Sequence, residues 1–577
     1  MTPLIAIAAL ALASPPPVAP PAQPPAQIGP VQAWAFDDAA SLEGWDLSAT
    51  GDAAKRMPKP KIEGGKFYLL ESWSNSTCVA AAPVLPEGER AAAWVEFRFT
   101  LVMNTGTEGM GLAWLDTSAH GAEPRIPAEP KEAFGPGVNA QAITLEPWGW
   151  EAPNFARGFG VGFDASDAPN RDPFKGSGNN YDRPQREVSL HWDGMEVVKR
   201  VANVEFRDEK PHQVRVRVDF VTGGAMAGVW IDGDAVFERA FVAGMTPFAG
   251  RAVLGARNGA TAGDVLIDDL TIARGPAVEA PAPPLRVTGL DHVLNDKDHG
   301  NNEARVEFPA DTSAYGRIIC TLRLDKPEKR FDPWDRAAHV NIVDDSGEVF
   351  ELIRYITPYH RGHEWKVDVS DFRPLLTGKK KIVQACGTQG EGWVVSMWFD
   401  YYPRAAGGGS GDSGGDAPCA IKMVNLWSGG PEIGNPDKPV EAFYAPRTVP
   451  VPQGATGARV RSVVSGHGMS PNTNNAGEFM SIARTLKVNG ESWVNTLWKS
   501  DNYLNPCRPQ GGTWKYDRAG WAPGDIVRPW EVDVSTSERK ELRIEYILDA
   551  YVNEGRGKTW APTHRTEAQV VFYGERK

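Results

Sequence analysis

Two neighbouring motifs place acidic and basic groups among aromatic side chains. Residues 331–336 read Phe-Asp-Pro-Trp-Asp-Arg, and residues 354–359 read Arg-Tyr-Ile-Thr-Pro-Tyr. A carboxylate can position a water and take its proton, and a neighbouring cation can stabilise the negative charge that develops. Asp335 and Arg336 form such a pair, although an isolated Asp-Arg pair after a strand is more often a surface ion pair.

Three later segments carry residues of the same kind. They are 465–468 (Ser-Gly-His-Gly), 477–479 (Gly-Glu-Phe) and 516–521 (Tyr-Asp-Arg-Ala-Gly-Trp). A single Glu in Gly-Glu-Phe says nothing about function. The segments become a candidate site only if the fold brings Glu478 and Arg518 close to Asp335.

The elements that must position these residues are predicted to be strands. The chain has 60 Gly, 47 Pro and 20 Trp among 577 residues. Apolar and polar residues alternate in short runs at 94–99, 214–218, 316–324 and 541–548, which is the period of a half-buried strand. The length predicts three or four domains, so we expect several all-β sandwiches.

Charge and terminal sequence restrict the function class. The net charge is −12, and no basic cluster is interleaved with aromatic residues, which argues against a nucleic-acid partner. Residues 4–14 are apolar and end in small residues, as in a secretory signal, and no later run predicts a membrane span. We therefore expect a secreted or periplasmic protein.

The cysteine pattern predicts no metal knuckle and leaves the disulfides open. The five cysteines have no CxxC spacing and no His neighbours in a zinc pattern. Export would permit disulfides, but an odd number leaves at least one thiol unpaired or intermolecular. The positions are Cys78, Cys320, Cys386, Cys419 and Cys507.

Linkers rich in small residues and proline divide the chain. The predicted organisation is a signal peptide (1–14), a Pro/Ala tether (15–30), a first sandwich (31–274), a linker (275–284), a second sandwich (285–404), a Gly/Ser linker (405–418) and a third sandwich (419–577).

The first sandwich resembles a concanavalin A/laminin-G-like jelly roll. The order of the segments 36–37, 160–164, 229–233 and 265–272 carries this resemblance, which implies no specific ligand. Two local features are open to two interpretations. Asp164, with Asp167, Asn170 and Asp172, could hold Ca²⁺ or form a polar loop. His191 and Trp192 could face a sugar, but neighbours on a strand alternate faces, so one should point into the core.

Residues from about 290 to the C-terminus resemble the peptide-N-glycosidase F family. The motifs at 334–336, 356–359, 367–372 and 375–378 look like its first jelly roll, and those at 465–468, 477–479 and 516–521 look like its second. The resemblance implies two eight-stranded antiparallel jelly rolls with the site in the cleft between them. It also implies hydrolysis of the amide bond between Asn and the first N-acetylglucosamine of an N-glycan, which leaves Asp, without a metal or other cofactor.

The resemblance also implies roles for individual residues. Asp335 matches the principal catalytic carboxylate, which positions and deprotonates water, and Glu478 matches the acid facing it. Arg336 and Arg518 match residues that bind sugar or steady the acids. The expected walls of the substrate site are Tyr359, His467, Gly468 and Trp521.

The sequence departs from the family pattern at one acid. A third carboxylate of the family is replaced by Ala385 or Cys386, and a family Trp is replaced by His467. Glu391 could substitute for the lost acid, or it could be a solvated loop tip. The family's cysteines near these motifs are also absent.

Three readings follow. The first is a monomeric amidase acting on N-glycoproteins or glycopeptides, with an N-terminal sandwich that folds independently and is dispensable for small glycopeptides. The second is a glycan-binding protein of the same fold whose chemistry has decayed. The third is a copper monooxygenase using His467 and Met469, which the absence of clustered His pairs disfavours.

Overall fold

The computed structural model is built almost entirely of strands. It describes residues 31–56, 59–84, 90–128, 130–131, 149–165, 186–404, 418–468, 477–508, 510–553 and 561–575. The predicted signal peptide and tether lie outside these residues, as do 405–417 of the Gly/Ser linker and three of the four proposed calcium ligands, Asp167, Asn170 and Asp172. Export and the calcium loop therefore stay predictions. Within the described residues, no helix is long and apolar enough to span a bilayer.

The N-terminal part has fifteen strands within the described residues. In chain order they are β1 (Val31–Trp34), β2 (Asp46–Gly51), β3 (Lys61–Glu63), β4 (Lys66–Leu70), β5 (Ser76–Ala81), β6 (Trp94–Met103), β7 (Gly109–Asp116), β8 (Gly158–Asp164), β9 (Glu187–Trp192), β10 (Met195–Val201), β11 (His212–Val221), β12 (Gly224–Ile231), β13 (Asp234–Ala243), β14 (Gly250–Asn258) and β15 (Val265–Arg274). Two four-residue helices accompany them, α1 (Ala53–Arg56) and α2 (Thr117–His120).

These strands form two antiparallel sheets that enclose one core. One sheet has the order β13-β12-β11-β6-β15-β4-β3, with β1 also paired to β15, and the other has the order β10-β9-β8-β7-β14-β5-β2. On β11, Val214, Val216 and Val218 are buried while the residues between them are more exposed, as the alternating sequence predicts. Phe97 of β6 and Trp114 of β7 meet across the core with ring centroids 5.3 Å apart.

The second of these sheets is covered on its outer face by the chain itself. The segment around Trp150 and Glu151 lies directly on glycines of β7, β8 and β14. A Cβ added at Gly162 would lie 2.0 Å from the Glu151 carbonyl oxygen, and one added at Gly111 would lie 2.1 Å from that of Trp150. Where both faces of the sheet are covered, its strands are buried throughout: every residue of β7, β8 and β9 is buried, whereas the edge strand β2 is half-buried to exposed.

This packing buries His191 and Trp192, the two residues that were considered for sugar contact. His191 is fully buried between Asn154 and Ser189, with its ring nitrogens 2.5 and 2.7 Å from their side-chain oxygens, and Trp192 is buried in the core. Burial lowers the pKa of His191 well below its ordinary value. Neither side chain reaches a surface, so the prediction that one of them could face a sugar is wrong.

The C-terminal part has sixteen strands within the described residues. The first eight are β16 (Leu285–Asn295), β17 (Asn301–Glu307), β18 (Tyr315–Asp325), β19 (Ala337–Val343), β20 (Val349–Ile356), β21 (His363–Asp368), β22 (Lys379–Cys386) and β23 (Trp393–Pro403). The others are β24 (Cys419–Gly429), β25 (Arg447–Pro450), β26 (Ala455–His467), β27 (Ile482–Val488), β28 (Glu491–Leu497), β29 (Trp530–Ser535), β30 (Glu541–Leu548) and β31 (Thr563–Gly574), with α3 at Val440–Phe443.

Each set of eight strands makes two four-stranded antiparallel sheets. The orders are β16-β23-β18-β21 with β17-β22-β19-β20, and β24-β31-β26-β29 with β25-β30-β27-β28. The prediction of an all-β chain of antiparallel sandwiches is confirmed. The jelly-roll winding stays a prediction, which is favoured because both sets repeat one order, first-eighth-third-sixth over second-seventh-fourth-fifth. The domain boundaries also stay predictions.

The two C-terminal sandwiches are joined by backbone pairing as well as side chains. The segment after Trp521 runs beside β20: the Val527 N–H donates to the Arg354 carbonyl at 2.9 Å, and the Ile356 N–H donates to the Asp525 carbonyl at 3.0 Å. The buried Arg354 guanidinium also donates to Ser465 Oγ of β26 at 3.3 Å. Because β20 ends at Ile356, this seam leads directly to the Thr357–Tyr359 motif.

Candidate active site

Asp335 lies in the loop between β18 and β19, and backbone contacts hold that loop in place. Asp332, which is fully buried, accepts the Trp334 N–H at 2.9 Å. Thr357 accepts the Arg336 N–H at 2.7 Å and donates to the Trp334 carbonyl at 2.9 Å. The motif at 354–359 therefore holds the motif at 331–336 in place through the Thr357 side chain.

The side chains of Trp334, Asp335 and Arg336 in this loop differ widely in solvent exposure. Trp334 is 56% exposed, a high value for a large aromatic side chain, whereas the Asp335 side chain is only 16% exposed. The Arg336 side chain is 28% exposed and lies 3.6 Å from Asp332 Oδ1 through its Nε. Among the described residues, this Nε has no hydrogen-bond partner.

Arg518 brings the two candidate acids together from different sandwiches. Its Nε donates to Glu478 Oε1 at 3.0 Å, and its Nη2 lies 3.9 Å from Asp335 Oδ2. The remaining donors are directed at the loop before it, at the carbonyls of Thr513 and Tyr516 (both 2.9 Å) and at Thr513 Oγ1 (3.0 Å). The guanidinium is 1% exposed, so its fork is fixed between the two carboxylates.

Burial raises the pKa of both acids. For Asp335 the loss of solvent raises the pKa, and the Arg518 charge and a hydrogen bond from Tyr359 oppose this only in part. For Glu478 burial again raises the pKa, Arg518 opposes it, and the charge of Asp335 raises it further. Two interacting acids with raised pKa values, held around one cation, are typical of a site for proton transfer.

Tyr359 is a buried support for Asp335. Its N–H donates to Gln510 Oε1 at 3.0 Å, and its hydroxyl lies 3.3 Å from Thr513 Oγ1. Burial, with the charge of Asp335, raises the pKa of Tyr359 above its ordinary value, so its hydroxyl remains a proton donor. Its side chain contacts the loop that carries Arg518.

His467 and Trp521 pack behind Arg518. The two rings stack with centroids 5.4 Å apart, and the Arg518 guanidinium carbon lies 4.8 Å from the Trp521 ring centroid. Trp521 is 3% exposed and donates to the Gly466 carbonyl at 2.7 Å. Burial lowers the pKa of His467 well below its ordinary value, so the ring is neutral.

Gly468 acts through its backbone. Its carbonyl accepts the Glu478 N–H at 3.2 Å, and its φ of +105° is a conformation that favours glycine. The residues between Gly468 and Gly477, including Met469 of the copper hypothesis, lie outside the described residues. In the part of the chain that is described, no three His, Cys, Asp or Glu side chains are grouped to hold a metal.

Part of this chain is similar to known proteins. A family model described as "Peptide-N-glycosidase F, C terminal" matches residues 438–567. The peptide-N(4)-(N-acetyl-beta-D-glucosaminyl)asparagine amidase F of Elizabethkingia miricola is 28% identical over 300 residues, covering 48% of this chain and 82% of the relative. About half of this chain is therefore similar in sequence to peptide-N-glycosidase F.

Two solved structures are also similar to this chain. PNGase F, "a glycosylasparaginase from Flavobacterium meningosepticum", is 23% identical, with 51% of this chain and 96% of that chain covered and a TM-score of 0.44. PNGF-II is 12% identical, with 84% of this chain and 99% of that chain covered and a TM-score of 0.38. The sequence matches support a peptide-N-glycosidase-like function.

The end of β22 carries Ala385 and Cys386, one of which is predicted to replace the family's third acid. Cys386, at the end of β22, is 1% exposed, and burial raises the pKa of its thiol to about 12. Glu391, considered as a substitute, lies 3.5 Å from Arg330 Nε and is one-third exposed. Among the described residues, the carboxylates that contact Arg518 are those of Asp335 and Glu478, whereas Glu391 pairs with Arg330.

Sequence reasoning missed three residues that build the site. Asp332 holds the Asp335 loop, and Gln510 and Thr513 connect Tyr359 to Arg518. The Asp-Pro step at 332–333 is a turn signal that could have identified Asp332. No local signal marks Gln510 or Thr513, because their importance depends on a neighbour from another sandwich.

Proposed function

We propose that the protein hydrolyses the amide bond between asparagine and the proximal N-acetylglucosamine of N-glycoproteins or glycopeptides. The glycan leaves as a glycosylamine, and the asparagine becomes aspartate. The observation that carries this proposal is Arg518, which holds Asp335 and Glu478 around one buried guanidinium. The sequence similarity to peptide-N-glycosidase F supports the same reaction class.

In the proposed reaction, Asp335 is the general base. A water oxygen forms a bond to the amide carbonyl carbon while Asp335 takes one water proton. The C–N bond then breaks, and the proton passes from Asp335 to the leaving glycosylamine nitrogen, so atoms and charges balance. Burial makes Asp335 a stronger base than a solvated carboxylate, which suits it to this step.

The two arginines have different proposed roles. The donors of Arg518 are directed at Glu478, Thr513 and Tyr516, so it orients the acids instead of binding substrate. The Arg336 side chain is 28% exposed, which supports a role in binding the developing oxyanion or a sugar oxygen. Trp334, exposed beside Asp335, offers a flat surface on which a sugar ring can stack.

Release of glycan from a denatured N-glycoprotein tests the proposal. The expected products are a free glycan and a peptide whose former glycosylation site has the mass of Asp and, in heavy-oxygen water, one heavy oxygen. An N-acetylglucosamine left on the peptide would instead indicate cleavage between sugars. Asp335→Asn should remain folded and lose turnover by at least about 100-fold, because an amide cannot take the proton.

A glycan-binding protein without activity is the second candidate. The predicted replacement of the family's third acid by Ala385 or Cys386 favours it. Binding of a glycopeptide without release by the wild-type protein, and equal binding by Asp335→Asn, would support this candidate over the amidase.

A further inference from the structure

A buried ion pair connects the N-terminal sandwich to the loop that carries Arg518. Arg508 lies in that loop, and Glu196 lies on β10. Arg508 Nη2 donates to Glu196 Oε2 at 2.7 Å, and its Nε donates to the same oxygen at 3.1 Å. The side chains are 9% and 1% exposed, so the contact is shielded from solvent and from salt.

Arg508 enters a cluster of charged groups in the N-terminal sandwich. Asp164 of β8, Glu187 of β9 and Lys199 of β10 surround the pair, and Lys199 contacts Glu187. Burial raises the pKa of Asp164 to about 7, while the charges of Lys199 and Arg508 oppose this. The cluster therefore favours a cation at the position of the Arg508 guanidinium.

The same loop builds the candidate active site a few residues further on. We call residues 505–518 the site loop; residue 509 lies outside the described residues. Gln510 accepts the Tyr359 N–H and donates to two carbonyls of its own loop region, those of Cys507 (2.6 Å) and Pro523 (2.8 Å). Thr513 then accepts from Arg518 and contacts the Tyr359 hydroxyl.

The middle of the site loop also packs tightly against the first C-terminal sandwich. A Cβ added at Gly511 would lie 2.7 Å from the His360 ring, and one added at Gly512 would lie 2.9 Å from the Tyr359 ring. The loop is thus held at its start by Glu196, in its middle by Tyr359 and His360, and at its end by the two acids. Because the loop is packed tightly between these points, a displacement of Arg508 should also displace Arg518.

The N-terminal sandwich also contacts the C-terminal half away from this loop. Phe241 and Ala243 pack with Ile319 and Tyr402, and Asp193 lies 3.7 Å from Lys366 of β21. These contacts hold the sandwich in place and do not involve the site loop. They provide a matched control for the loop contact.

We propose that Glu196 is a positioning residue of the active site: through Arg508, the N-terminal sandwich holds the site loop so that Arg518 lies between Asp335 and Glu478. The proposal rests on the proposed amidase function for its activity readout. It replaces the expectation that the N-terminal sandwich is dispensable for chemistry on small glycopeptides.

The first test is Glu196→Gln in the full-length protein, with Asp193→Asn as the control. Gln keeps the size of Glu196 but removes the charge that pairs with Arg508. We expect kcat/KM on a small glycopeptide to fall about 10- to 100-fold, mainly in kcat, because small displacements of catalytic groups have effects of this size. Asp193→Asn should leave kcat/KM unchanged, since its contact does not involve the site loop.

The pH profile separates positioning from stability. Arg518 lowers the pKa of both Asp335 and Glu478, so its displacement should move the acid limb of kcat/KM to higher pH in Glu196→Gln. Tyr359 and Arg336, which also face Asp335, are unchanged in this variant. A loss of folded protein alone would lower kcat/KM equally at every pH and leave the pKa of the acid limb unchanged. That result would overturn the proposal.

A double variant tests the pair itself. In an Arg508→Met background, Glu196→Gln should lower kcat/KM by less than about threefold, because the ion pair between these residues is already absent. If the fold-losses in kcat/KM of the two single variants multiply in the double variant, the two residues act independently and the proposal is wrong.

Hydrogen exchange provides a readout that does not depend on activity. The site loop should exchange faster in Glu196→Gln than in the wild-type protein or Asp193→Asn, without substrate present. If the wild-type protein releases no glycan, the proposed function fails, while the exchange measurement still decides the positioning proposal. Unchanged exchange in a folded Glu196→Gln overturns it, and if that variant does not fold, Glu196→Asp takes its place with the same comparison.

Discussion

Arg518 is the residue on which the geometry of the site depends. One guanidinium contacts Glu478 and Asp335, which lie on different sandwiches, and it is itself held by the Thr513 and Tyr516 carbonyls. Lys could supply the charge but not this number of fixed donors. The acids are thus positioned by a residue that has little contact with solvent.

The raised pKa of Asp335 predicts the acid limb of the activity profile. Asp335 must be ionised to accept a proton, so kcat/KM should rise with pH through a pKa above the ordinary range of aspartate. Arg518→Gln should move this limb to still higher pH, because the Arg518 charge lowers the pKa. A pH profile of kcat/KM measures both, and a limb at or below the ordinary range would contradict the assignment of Asp335 as base.

The same raised pKa predicts that ionised Asp335 lowers the free energy of unfolding. A carboxyl whose folded-state pKa lies above its unfolded value favours folding only while it is protonated, and the free energy of unfolding falls as pH rises through that window. Asp335→Asn should therefore unfold at a higher temperature than the wild-type protein at neutral pH, with the difference vanishing at acidic pH.

Asp332→Asn is the matched control for this stability measurement. Asp332 is buried in the same loop, and its carboxylate accepts from the Trp334 N–H and from Thr388. Its replacement should destabilise the protein by about 1–3 kcal/mol, because an amide leaves buried donors unsatisfied. Stabilisation by both substitutions, or by neither, would show that burial of the Asp335 charge is not the cause.

At the scale of elements, the second N-terminal sheet depends on its glycines. The segment containing Trp150 and Glu151 contacts the sheet backbone at distances that exclude a Cβ at Gly111 and Gly162. The outer face over β7 and β8 is therefore packed against the chain itself. This also explains why β8 and β9 are buried at every position.

Gly162→Ala tests this packing. The added methyl group would overlap the Glu151 carbonyl, so we expect a loss of about 1–3 kcal/mol in the free energy of unfolding. Gly457→Ala on β26 is the control, because its nearest heavy atom would be 4.0 Å away, and its effect should stay within about 0.5 kcal/mol. Denaturant unfolding measures both, and equal effects would contradict the account of the glycine face.

At the scale of the whole molecule, the sandwiches are joined by packing and ion pairs. All five cysteines are free thiols, and all except Cys419 are buried. Burial raises the pKa of Cys78 and Cys386 to about 12, so these thiols are unreactive near neutral pH.

Alkylation followed by mass spectrometry tests this arrangement. In the native protein we expect modification of Cys419 only, because reagents do not reach the buried thiols. In denaturant without reductant, all five should react. A cysteine that stays unmodified in denaturant until a reductant is added would reveal a disulfide and contradict this prediction.

Much of the fold and part of the site could be predicted from the sequence by itself. Alternation of apolar and polar residues reports which face of a strand is buried, and this is a local property, so the sandwiches were predictable. The motifs Trp334-Asp335-Arg336, Gly477-Glu478-Phe479 and Tyr516 to Trp521 carried the resemblance to the peptide-N-glycosidase F family. His191 was the exception, because on a sheet covered on both faces the alternation no longer separates inside from outside.

Only the tertiary structure decided how these residues act. The contact of Arg518 with both acids, the burial that raises their pKa values and the link from Glu196 to Arg508 all join segments that are distant in the chain. Burial and ion pairing depend on which segments pack together, and no local pattern encodes that packing. The sequence determined which residues are candidates, and packing between sandwiches decided which of them meet.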